Sequence, residues 1–253
     1  VGPAEGSLAD ALGHPDLEAA VFGAAPDDDR LLHTSPFLTF AAAVHRSAAR
    51  LAATTYVEER WAPRQRVPVF DVGSLRDLLA DPWRRYFLVE LLASYTHVAS
   101  GVTWQRTRRG WRRRRFSELD PVRLAELVAT VEPAERAGVY RRLGDLALFL
   151  TGVFPDHPTV LDLGPVAAQR LARLSSLPEV ADGETPGPVL LERLGRRWYG
   201  LAARSARAHG APVTAGLEVV ADMGGRFGEA RRVLNVVTDW YLFPLRERWF
   251  GLG

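Results

Sequence analysis

VYRRLGDLALFLTGVFPDHP, residues 139–158, decides the fold class. The stretch opens polar, with Arg141 and Arg142, and is almost wholly apolar over residues 146–154. A helix that is apolar all round belongs inside a protein. Nine residues are too few to cross a bilayer, so the burial is against protein. Gly144 and Gly152 would let a neighbouring helix come close. Pro155 and Pro158 stop the helix, because proline lacks the donor and clashes with the preceding turn. Asp145 stands at the edge of the apolar run, a single carboxylate in a place where charge is costly.

Composition sets the next bounds. At 253 residues, with 47% hydrophobic and 25% charged, the chain can bury a sizeable core. There is no cysteine, which removes disulfides, thiolate metal sites, iron–sulfur clusters and a cysteine nucleophile. All 32 basic residues are arginine, isoleucine is absent, and Asn235 and Met223 are the only residues of their types. This is the pattern of a very GC-rich bacterial genome, so arginine enrichment is a genome signature before it is a binding signature. The lack of lysine removes a phosphate-loop lysine, a Schiff base and a lysine general base. No secretory signal or membrane-spanning run is visible, and the expected compartment is the cytoplasm.

Helical signals follow one another outward from the central run. Ser35 and Pro36 start a helix whose apolar face carries Phe37, Phe40, Ala41, Val44, Ala48, Leu51 and Thr55, running to about Glu59. APRQRVP, closed by prolines, reads as a loop. A short helix is expected near residues 74–80. Asp81 and Pro82 start another, which Gly101 ends. Further helix starts stand at Asp120–Pro121 and Glu132–Pro133. Helical patterns then cover 164–177, the face of Val189, Leu190, Leu194, Trp198 and Leu201, and a last segment from about Val213, which Gly224 and Gly225 bend or break. The expected architecture is an all-α, bundle-like single domain over residues 35–253, preceded by an acidic lead-in over 1–34. It carries one short β-hairpin near residues 102–116.

The runs RRLGDLALFLTGVFPDH, LLERLGRRWYGLA and RRVLNVVTDWYL resemble a family of uncharacterised helical proteins of high-GC actinobacteria. The resemblance extends over most of residues 35–243. It implies a helical, cytoplasmic, bacterial protein and carries no activity and no catalytic residue.

The hairpin, VTWQRTRRGWRRRRF, is the candidate binding element. Two runs with aromatic or β-branched residues flank Arg109-Gly110, the pattern of a hairpin. Arg106, Arg108, Arg109, Arg112, Arg113, Arg114 and Arg115 alternate with Trp104, Trp111 and Phe116. Guanidinium forks match phosphate geometry and aromatic faces stack on bases. Alternation puts Arg113 and Arg115 on one face with Trp111, and Arg112 and Arg114 on the other with Phe116. Both faces are therefore basic, which argues against simple packing on a core. The expected partner is acidic, either protein or nucleic acid. The bland alternative is a solvated hairpin that is arginine-rich through codon bias.

Asp145 has two readings. As a general acid or base beside apolar packing it would sit in an interhelical pocket of an enzyme or ligand-binding protein. As a structural group it would pair with an arginine, because a buried charge needs a partner. Arg141 and Arg142, one turn earlier, can serve. Glu90 and His97, two helical turns apart, and His45 are the remaining candidates for metal ligation. The chain has neither a Glu-x-x-His pair nor His-Glu-x-x-His, so no metal and no cofactor is expected. Asp156-His157 reads as a turn between prolines. Arg231, Asn235 and Asp239, spaced by four, read as pairing on a helix surface. No catalytic residue stands out. The expected function is a non-enzymatic binding or regulatory module acting through the hairpin, with the pocket at Asp145 as the alternative.

Overall fold

The computed structural model describes residues 12–14, 21–22, 35–62, 65–97, 100–107, 110–161, 163–177, 185–243 and 246–251, giving the backbone alone at 60–62, 65, 100–107, 111–117 and 159. The lead-in expected over 1–34 falls almost wholly outside these residues. The protein is mainly α-helical, and strands among the described residues form two antiparallel pairs. No helix among them is long and apolar enough to cross a membrane. The chain divides into two compact units, Val1–His97 with Arg232–Gly253, and Val98–Arg231.

In the first unit, α1 (Pro36–Ala52) begins at Pro36 and buries Phe40, Ala43, Val44, Ser47 and Leu51. The buried stripe is rotated from the expected one, and Phe37 is exposed, resting on Tyr86 with ring centroids 5.8 Å apart. The helix does not reach Glu59. Its last carbonyls are taken by Arg76, whose Nε donates to Leu51 O at 2.8 Å and Nη2 to Thr54 O at 2.6 Å. A guanidinium on the terminal carbonyls satisfies groups that helix continuation would otherwise use. The chain then forms a ribbon the sequence did not announce: β1 (Val57–Ala62) pairs with β2 (Gln65–Val69), setting Val57 opposite Val69 and Glu59 opposite Val67. Pro68 is compatible with this because a two-stranded ribbon has only edge strands.

Next come α2 (Val72–Ala80) and α3 (Pro82–Ser94), both packed on α1. Asp81 caps α3, accepting from Trp83 N at 2.7 Å. The helix stops at Ser94, short of the expected Gly101, because β3 begins at Ser100. After residue 232 the unit adds a π-helical turn, Thr238–Leu242, and α11 (Arg246–Phe250). Phe250 stacks on Phe40 at 5.5 Å.

The second unit opens with β3 (Ser100–Thr107) and β4 (Gly110–Ser117), the hairpin expected from the sequence, extended by two residues at its start and one at its end. Thr107 pairs with Gly110, whose φ of +114° suits glycine. The turn is therefore one residue earlier than Arg109-Gly110. The helices are α4 (Pro121–Leu127), α5 (Arg136–Val153), α6 (Pro158–Leu161), α7 (Pro165–Leu174), α8 (Gly187–Ala208) and α9 (Ala215–Gly225), and α10 (Phe227–Val237) begins here. A single 3-10 turn, Pro133–Glu135, leads into α5, so the helix expected from Pro133 becomes regular at Arg136.

Every residue of α5 from Leu143 to Val153 is buried, as the apolar run requires. Its most extensive partner is α8. Two glycines allow the approach. A Cβ on Gly144 would lie 2.6 Å from the Tyr199 ring, and one on Gly195 would lie 2.2 Å from Phe227 and 3.1 Å from the Cβ of Ala147. The break between α9 and α10 falls at Gly225-Arg226, where the glycine pair predicted it.

Candidate functional site

The β3–β4 ribbon is built by backbone pairing from Ser100–Ser117 to Thr107–Gly110. Its register sets Trp104 opposite Arg113, Arg106 opposite Trp111, Gln105 opposite Arg112, Thr103 opposite Arg114 and Val102 opposite Arg115. Directly opposed positions of an antiparallel pair share a face. The positions of Trp104, Arg106, Trp111, Arg113 and Arg115 therefore fall together, in a checkerboard of arginine and tryptophan. Arg108 and Arg109 lie outside the described residues. The base of the ribbon is tied down just beyond β4, where Arg142 of α5 donates to Glu118 at 2.9 Å. Two strands alone are marginal in water, and the packing of β4 on α4 supplies further support.

Asp145 is 7% exposed. Tyr199, fully buried on α8, donates its hydroxyl to Oδ1 at 2.9 Å, and Arg141 Nε lies 3.7 Å from Oδ2. Gly144 is what brings the tyrosine ring so near. The carboxylate thus joins α5 to α8 through a neutral donor, with a half-exposed arginine beside it. The sequence foresaw the arginine and missed the tyrosine. Arg142, the other candidate partner, is engaged with Glu118.

The metal candidates do not converge. Glu90 lies within α3, whereas His97 lies three residues beyond the helix end and contacts Thr96 Oγ1 at 3.1 Å. The shared helix face expected of them does not exist. Burial, then Arg85 and Arg46, holds the His45 imidazole below its ordinary value, which favours the neutral ring. Among the described residues no three His, Asp or Glu side chains form a metal-binding group. Asp156-His157 forms the turn that the flanking prolines predicted. Burial holds His157 low, with Asp156 opposing.

Arg231, Asn235 and Asp239 do not pair along a helix surface. Arg231 reaches Glu192 of α8 at 3.1 Å, Asn235 is buried, and Asp239 leaves the α-helical spacing altogether. Burial pushes the Glu192 carboxyl up, but hydrogen bonds from Arg196 and Arg231 and their charges outweigh it, and its net displacement is downward.

Asp239 belongs to a cleft in the first unit. The π-turn TDWYL presents Asp239 and Trp240 to a cavity of about 280 Å³, across from Arg50, Tyr56, Glu58 and Arg66. π-Helical turns are uncommon and concentrate at functional sites. The Asp239 side chain is 10% exposed and lies 3.2 Å from Arg66, which also reaches Glu58 at 3.4 Å. The Arg50 guanidinium sits 4.1 Å above the Trp240 ring. The sequence held one signal for this cleft, a lone carboxylate within the apolar run VLNVVTDWYLF, the same signal that drew attention to Asp145.

No family model matches this chain, and neither a curated protein nor a solved structure matches it.

Proposed function

We propose that this protein is a non-enzymatic binding module that engages an acidic partner through the β3–β4 ribbon. What carries the reading is the register, which sets arginine opposite tryptophan twice in succession along one ribbon face. Eight residues per strand, at about 3.3 Å each, give a rod about 26 Å long. A two-stranded ribbon of this kind fits the major groove of duplex DNA, and its aromatic positions suit unpaired bases. An acidic protein surface offers the same array of anions. Four consecutive arginines repel one another when unliganded, so partner anions relieve a cost already present. The alternative, a reactive or ligand-binding pocket at Asp145, is disfavoured by its burial and its bond to Tyr199. A cysteine-free chain gains nothing from an oxidising compartment, which supports placing the module in the cytoplasm.

The test is titration of a labelled single-stranded oligonucleotide, and in parallel an acidic peptide, at several salt concentrations. Each phosphate contacted contributes about −0.7 to the slope of log affinity against log salt. Replacing Arg112, Arg113, Arg114 and Arg115 by Ser should make the slope shallower by up to about 3 and weaken binding to either probe, leaving the helical circular dichroism unchanged. Undiminished binding after that replacement would remove the ribbon from consideration.

A further inference from the structure

We propose that the cleft formed by the end of α1, the β1–β2 ribbon and the π-turn is a binding site for a small zwitterion of the amino-acid class. Its carboxylate would sit on Arg50 and Arg66, and its ammonium on Asp239 and Glu58.

The charge pattern selects the ligand class. The wall carries two guanidiniums and two carboxylates within one cavity of about 280 Å³. A simple anion would meet Glu58 and Asp239, and a simple cation would meet Arg50 and Arg66. A neutral apolar molecule would strip water from all four charges without replacing it. A molecule carrying both signs a few bonds apart complements both pairs. The volume is at the small end for ligand pockets, which fits an amino acid better than a nucleotide. Val57 and Val236 supply apolar wall for a side chain.

The site is partly organised and partly loose, as exchange with a ligand requires. Arg50 is held over Trp240 by a cation–π contact, so one anion-binding group is positioned in advance. Asp239 is held by the π-turn with its side chain nine-tenths buried. Arg66, by contrast, is 47% exposed, and its contacts with Asp239 and Glu58, at 3.2 and 3.4 Å, are longer than the 2.7–2.9 Å of a strong charge-assisted bond. The arginine can swing toward a carboxylate and leave both acids to an ammonium. Tyr56 lines the same cavity and adds a hydroxyl that can donate to the ligand carboxylate.

The experiment is thermal melting of the full chain with each of the twenty standard L-amino acids at millimolar concentration, since a ligand that binds only the folded state raises the transition. At least one should raise it, and the Nα-acetyl and carboxamide derivatives of that amino acid should not. Isothermal titration should then show Arg50→Gln and Asp239→Asn each weakening affinity by about tenfold or more, the loss of one hydrogen bond to a charged group. Should Asp239→Asn fail to fold, Glu58→Gln, at an exposed position, carries the same expectation. The proposal is overturned if none of the twenty raises the melting temperature. It is equally overturned if the acetylated form or inorganic phosphate binds as well as the free amino acid, or if affinity survives both the arginine and the carboxylate substitutions.

Discussion

Replacing Asp145 tests whether the carboxylate next to the apolar run is there for structure. In Asp145→Ala, the Tyr199 hydroxyl, fully buried, loses the acceptor it reaches at 2.9 Å. Leaving a buried donor without that bond costs about 1–3 kcal/mol. Arg141 is 39% exposed and 3.7 Å from the other oxygen, so losing that pair adds at most about 1 kcal/mol after screening by water. The expected loss is therefore about 1–4 kcal/mol, smaller than that of a fully buried ion pair because the buried partner is neutral. Asp145→Asn keeps an oxygen for the tyrosine and gives up only the screened charge, so about 1 kcal/mol or less is expected. Tyr199→Phe should cost about 1–3 kcal/mol. The double variant Asp145→Ala, Tyr199→Phe should cost less than the sum of its parts, because the second change removes the donor stranded by the first. Urea unfolding followed by circular dichroism reads these differences as shifts in midpoint at constant slope. An alanine variant as stable as the parent would refute the structural role, as would strict additivity in the double variant.

Two further outcomes follow from the packing and the charges of the second unit. Gly195→Val should destabilise by about 2–3 kcal/mol, since even a Cβ there meets Phe227 at 2.2 Å, whereas Gly138→Ala, with open space at its Cβ, should be neutral or gain up to about 1 kcal/mol of helix propensity. Thermal melting of both variants checks the contrast. Glu192 has its folded-state carboxyl held below the ordinary 4.5, so its contribution to stability is complete above that value and is lost as pH falls through the lower folded value. Glu192→Gln should therefore flatten part of the acid limb of stability against pH, and an acid limb identical to the parent's would contradict the pairing with Arg196 and Arg231.

The parts of the fold legible in the sequence are those where one local signal coincides with the tertiary outcome. The run after Asp145 is buried all round because it is apolar all round, and the β3–β4 hairpin forms where aromatic and β-branched residues flank a glycine. The helix that was expected to continue to Glu59 fails for a reason outside its own sequence: Arg76, some twenty-five residues on, takes the carbonyls of Leu51 and Thr54. The β1–β2 ribbon was hidden because Pro68 and the charges of VEERWAPRQRVPV read as loop. With only two strands there is no central position for proline to disrupt. Gly144 announced a close helix approach, but nothing local could say that Tyr199, fifty-five residues later, fills the space. The cleft at Asp239 was less legible still, because it depends on a π-turn, and a change from i+4 to i+5 spacing leaves no mark in the residue pattern.

The structure also bears on whether the ribbon arginines are only a genome signature. In a chain with no lysine, arginine must do every task of a cation, and elsewhere it does so with partners close at hand. Arg232 holds the buried Glu59 at 3.0 Å, Arg142 holds Glu118 and Arg231 holds Glu192. Each of these joins two separate elements. The stretch 102–116 differs, with seven arginines in fifteen residues and no acid among them. Glu118, the nearest acid along the chain, is already engaged from α5. Codon bias accounts for arginine where another sequence would have lysine, but it does not account for a density of cations that the ribbon's own residues cannot neutralise. Neutralising them takes acids from beyond the ribbon, and an exchangeable acidic partner is the source that turns that excess of charge into a function.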